Sequence, residues 1–219
     1  MPFSYYARLT RAQQRVYRRS DEIGAVPLRA PAAAQPMVEA LERALATGER
    51  GRVEAAAQLL LDRLTSALGV PPLRAEVLAA RPSRDWGELH GLYTPAERGG
   101  RARVTLWMRT AQQRRVVGFR TFLRTLIHEL CHHLDYELFA LPDSFHTQGF
   151  YRRESSLIRQ LVGGASRGNA ALALDLVGAG RRGSRPAADC PARAQEEAAS
   201  GGFSGEKEKM VQGVIPGME

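Results

Sequence analysis

The chain has 219 residues, 44% of them hydrophobic, enough to bury one core with extensions and too few for two full domains. Its two cysteines, Cys131 and Cys190, form no CxxC pair, which argues against a disulfide scaffold or a zinc ribbon and fits a reducing, cytoplasmic compartment. A formal charge of +8 favours an anionic partner, and DNA is the candidate that such a charge suggests.

The opening "MPFSYYARLTRAQQRVYRRSDEIG" carries arginine every few residues and lacks the apolar run of a secretory signal. It predicts a basic helix, and "RAPAAAQP" then breaks the chain, so residues 1–36 read as an appendage with a linker. From Met37 the spacing is helical. "MVEALERALATG" closes at Gly48, and "RVEAAAQLLLDRLTSALG" sets Val53, Ala57, Leu60, Leu61, Leu64 and Leu68 on one face before Gly69. Three stretches with strand character follow: "LRAEVLAA", "ELHGLYT" and "RARVTLWMR". In the last, Ala102, Val104, Leu106 and Met108 alternate with Arg103, Thr105 and Trp107, which predicts a half-exposed edge strand. A long helix is expected from about Gly118 to Leu138, with an apolar stripe running from Phe119 to Leu138. Beyond the Pro142 break, a further helix should start near Ser144 or His146 and run to about Leu161.

Residues 163–219 turn to Gly, Ala, Ser, Arg and Pro, a composition that predicts a disordered tail. Its longest apolar run, "ALALDLVGAG", is too short for a membrane span and contains Asp175. The tail holds seven basic and seven acidic residues, so the whole excess lies in residues 1–162, with 24 basic against 16 acidic.

The long helix contains "HELCH". Residues at i and i+4 share a helix face, so His128 and His132 can both point at one ion, with Glu129 beside them to reach a water. Zinc on three protein ligands keeps a fourth position for that water, and a glutamate can then act as general base in peptide-bond hydrolysis. Two residues qualify as third ligand: His146, fourteen residues after His132 at the head of "HTQGF", and Glu154 on the next helix. Phe150, one turn after His146, would anchor that helix in the core.

Other residues have weaker claims. His133 lies about 100° round the helix from His132 and reads as a surface or supporting residue that makes one hydrogen bond. His90 reads as a strand-surface residue, Cys131 as a small buried one, and Asp135 as either solvated or orienting an imidazole. Tyr93, Tyr136 and Tyr151 could each supply a phenol to an oxyanion, and core packing suits each as well. The arginines of "TRAQQRVYRRSD" and "RTAQQRRVVGFR", with Tyr17 or Trp107 as stacking surfaces, are the candidate DNA contacts.

"TLIHELCHHLD" followed by "HTQGF" resembles the SprT-like zinc metallopeptidases, the gluzincin-like group that includes Spartan and the Wss-type proteases. The similarity covers about residues 53–162, within a core taken as residues 37–162. It implies an α+β zincin-like fold, a three-stranded sheet and an HExxH helix. It further implies zinc held by His128, His132 and His146, with Glu129 catalytic, and a protein or peptide substrate whose backbone lies along an edge strand at residues 102 to 108. Thr147 stands where the family usually has glycine. The expected function is therefore that of a zinc metalloendopeptidase. The competing classes are a nucleic-acid-binding or scaffold protein with a non-catalytic zinc, and a metal-dependent hydrolase acting on something other than a peptide.

Overall fold

The computed structural model describes residues 2–163, except 82, 85, 86, 89 and 98, together with 211–213. The fold is α+β. Helix α1 (Arg11–Glu22) starts on a capping box, in which Thr10 Oγ1 accepts from the Gln13 N–H and Gln13 Oε1 from the Thr10 N–H. Helices α2 (Gln35–Thr47) and α3 (Arg50–Leu68) end at Gly48 and Gly69, as their sequences predict. Strand β1 (Arg74–Ala80) follows, then the short antiparallel pair β2 (Ser83–Arg84) and β3 (Gly87–Glu88), and then β4 (Gly91–Thr94) and β5 (Arg103–Arg109). Helix α4 (Phe119–Glu137) and helix α5 (Gln148–Val162) complete the core, and β6 (Val211–Gly213) is a last short strand.

Strands β1, β5 and β4 form a three-stranded mixed sheet, with β5 parallel to β1 and antiparallel to β4. Residues 211–213 add a fourth strand on the far side of β4. Helix α3 packs on β1, and α4 lies against β4 and β5. The apolar faces of these elements meet in one core, with Leu60, Leu61, Val77, Leu106, Leu126, Leu130 and Phe150 fully buried. The α3 side chains also finish the outer edge of β1: Gln58 Oε1 accepts from the Ala75 N–H, Glu54 Oε2 from the Val77 N–H, and Gln58 donates to the Leu73 carbonyl. An unpaired strand edge invites association with other chains, and these side chains close this one.

Two sequence expectations fail here. Strand β5 is not an edge: it sits between β1 and β4, and residues 104–108 are all buried. Trp107 and Thr105, read as the exposed face, are 7% and 5% exposed. The Thr105 hydroxyl donates to Glu76 on β1, so a polar residue in the alternation marked a paired face instead of a solvated one. Residues 102 to 108 therefore offer no edge to a substrate; the next strand, β4, is itself paired on its far side with residues 211–213.

The N-terminal segment is likewise no appendage. Val26 and Leu28 belong to the core, and Gln160 on α5 bonds the Val26 carbonyl and the Leu28 N–H, each at 2.8 Å. The end of α1 comes so close to the start of α5 that a Cβ on Gly149 would stand 2.5 Å from the Ser20 carbonyl oxygen. Glycine at 149 is what permits that approach. The tail expectation falls, apart from Gly163 and residues 211–213, outside the described residues, as do Cys190 and Asp175. Among the described residues no helix is long and apolar enough to cross a membrane.

Candidate metal centre

Helix α4 is buried over most of its length, and its HExxH residues are fully so: His128, Glu129 and His132 are each 0% exposed. His146 comes from the loop between α4 and α5. Ala140, in the left-handed region at φ 48°, turns that loop back, and Thr147 caps α5 by accepting from the Phe150 N–H. Thr147 itself is extended at φ −91°, so nothing in the backbone there calls for the glycine usual in the SprT-like pattern. His146 thus precedes α5, which begins at Gln148, and is held from outside by the Tyr5 hydroxyl donating to its carbonyl at 2.9 Å.

The three imidazoles converge. Nε2 of His146 lies 3.0 Å from Nε2 of His128 and 3.1 Å from Nε2 of His132. Phe150 closes the floor, its ring centroid 4.9, 4.8 and 5.1 Å from those of His128, His132 and His146.

Their partners fix the tautomers. Nδ1 of His128 lies 2.9 Å from Glu154 Oε2, and the carboxylate, which accepts from Arg124 at its other oxygen, can only accept. His128 therefore carries its proton on Nδ1 and turns a bare Nε2 inward. Nδ1 of His132 lies 2.7 Å from Ser144 Oγ, whose own proton goes to Asp135 Oδ2 at 2.6 Å. His132 must donate as well, and its Nε2 is also bare. A single proton on His146 could satisfy one of the two facing lone pairs but not both. A cation resolves the conflict, and three nitrogens in this arrangement fit one.

The electrostatics agree. Burial, then the neighbouring His146 and His128, hold His132 well below its ordinary value, and burial with His128 lowers His146 to about 3. Imidazoles that refuse protons are what a metal requires. Beside them, neither carboxylate oxygen of Glu129 has a well-formed hydrogen bond. Burial pushes this carboxyl well above the usual range, the nearby Tyr93 N–H offsets part of the effect, and Glu154 adds to it. Glycine at 91 makes room for it, since a Cβ there would stand 2.7 Å from Thr125 Cγ2 and closer still to Glu129 Oε1.

Glu154, the other candidate third ligand, is instead the partner of His128 and lies outside the converging group. Asp135 orients His132 through Ser144 and forms a fully buried ion pair with Arg153 at 2.6 Å. Burial still pushes Asp135 up to about 6 against the pull of Arg153 and Ser144. Arg153 also donates to the Ser20 and Ile23 carbonyls. The sequence signalled neither Ser144 nor Arg153; the one clue was that Arg153 shares the buried face of α5 with Phe150 and Leu157.

His133 is buried, contrary to a surface role, and makes two hydrogen bonds, to the Tyr93 hydroxyl and the Pro71 carbonyl. Cys131 is buried and free. His90 is half-buried just ahead of β4 and outside the triad. Tyr93 commits its hydroxyl to His133 and stacks on Tyr136, while Tyr151 stacks on His146 at 5.9 Å. Of the α1 arginines, Arg18 bonds the Tyr6 hydroxyl and Arg19 the Phe139 carbonyl. Comparison of the chain with family models, with curated proteins and with solved structures finds no match.

Proposed function

We propose that the three histidines hold zinc and that the chain hydrolyses peptide bonds in protein substrates. The observation that carries this is the pairing of a three-nitrogen site with an uncommitted buried carboxylate, Glu129, one residue from the first ligand. A structural zinc is closed by four protein ligands, whereas a catalytic one has three and an open position. Among the described residues the group has three.

Bound zinc supplies Lewis acidity, lowering the pKa of a water and polarising a carbonyl. The chain's residues do the rest. Glu129 takes the water's proton and passes it to the leaving amine, and the cation's charge would pull its raised pKa back down towards the range a base needs. His128 and His132 are aimed by Glu154 and Ser144, which bond Nδ1 of each ring and turn Nε2 towards the ion. The order of HExxH helix and then "HTQGF" supports the SprT-like assignment, with β4 in place of β5 as the strand beside the site.

The test is Glu129→Gln, which keeps the shape and removes the base. Zinc content should be unchanged while cleavage of an unfolded protein falls roughly 10²- to 10⁴-fold. Equal cleavage by both forms would remove Glu129 from the mechanism. The scaffold alternative predicts zinc without turnover in either.

A further inference from the structure

The central sheet has two edges that are treated differently. The α3 side chains Gln58 and Glu54 satisfy the outer edge of β1. The edge of β4 is filled by the chain's own distal strand, which runs antiparallel to it with Gly91 opposite Gly213, Leu92 opposite Gln212 and Tyr93 opposite Val211. Gly91 is the residue whose bare Cα leaves room for the Glu129 carboxylate. Backbone bonded to β4 at Gly91 therefore passes beside the general base.

We infer that Val211–Gly213 is a resident occupant of the β4 edge, which an extended peptide substrate must displace. The other side of β4 is taken by β5. A peptide that docks by adding a strand needs the same outward-facing N–H and C=O groups of residues 91–93 that residues 211–213 now use. The occupant is on the same chain, 48 residues beyond Val162 (positions 163 to 210), so it competes at the high effective concentration of a tethered group. Its ladder is only three residues long, so a longer substrate strand that pairs with all of β4 can displace it. The competition rests on the peptidase function proposed above; the docking does not.

The test uses the full-length, zinc-loaded chain and the double variant Val211→Pro, Gln212→Pro. Successive amides of a strand point to opposite sides, so replacing both removes at least one donor to β4. In the variant, hydrogen exchange should speed up at those amides of residues 91–93 that face residues 211–213. If the segment is docked nine-tenths of the time, kcat/KM for an unfolded protein should rise ~10-fold, mainly through KM. A synthetic peptide of residues 208–216 should restore protection and inhibit competitively. Unchanged exchange at those amides overturns the docking. Faster exchange with unchanged KM in an active enzyme overturns the competition. Faster exchange in a chain inactive in both forms upholds the docking and removes the peptidase function.

Discussion

The two helical histidines of the candidate metal centre are held in different ways. His128 is held directly: Glu154 accepts its proton, and Arg124, on α4 itself and one turn before His128, steadies the carboxylate from a position 37% exposed. His132 is held through a relay of Ser144, Asp135 and Arg153 that ends on the Ser20 and Ile23 carbonyls at the end of α1. The first support stays within α4 and α5 and reaches solvent, where an ion pair contributes little. The second is buried throughout its Asp135–Arg153 link, where an unpaired charge is costly. Of the two helical histidines, the N-terminal segment is therefore tied to His132 and not to His128, and its Tyr5 also holds the loop at His146.

Breaking the buried relay should have the largest effect. Arg153→Met leaves Asp135 without its cation and takes one donor from each of three other acceptors, the Ser20 and Ile23 carbonyls and the Ser20 hydroxyl, and should cost about 3–5 kcal/mol of stability by denaturant unfolding. A loss below about 1 kcal/mol would mean that water replaces the guanidinium and that α1 is not energetically joined to the site.

The ligand partners come next. Glu154→Gln keeps the size of the His128 partner and removes its charge, and should weaken zinc roughly 10- to 100-fold in competition with a chelator. Ser144→Ala removes the acceptor of the His132 proton but leaves Asp135 paired with Arg153, so its effect should lie near the lower end, about 10-fold. Equal losses would show that the direct and relayed supports are equivalent. Arg124→Ala should matter least, at most ~1 kcal/mol in stability, because water reaches the place its guanidinium leaves.

The contrast between the supports also marks what the sequence could reveal. The three converging histidines were legible because two of them obey helix periodicity and the third heads a phrase with its own aromatic anchor, Phe150. The helices were legible for the same reason, with ends set by Gly48 and Gly69. The relay was not, because Ser144 and Ser20 meet it only after the chain folds, from segments 124 residues apart. Strand order was hidden too: Thr105 looks solvated in an alternating pattern, and only the pairing of β1 shows its hydroxyl a carboxylate. The N-terminal helix looked detached because part of its attachment is through the Ser20, Asp21 and Ile23 backbone carbonyls, which leave no trace in residue type.

The central claim is that three bare imidazole nitrogens share one cation. Metal analysis of the purified chain, alongside His146→Ala and Glu154→Ala, tests it most directly. The account predicts one zinc per chain in the parent, a loss of most of it in His146→Ala because only two protein ligands remain, and a smaller loss in Glu154→Ala. A parent chain that binds no metal when zinc is supplied, or a glutamate variant that loses more zinc than the histidine variant, would contradict it.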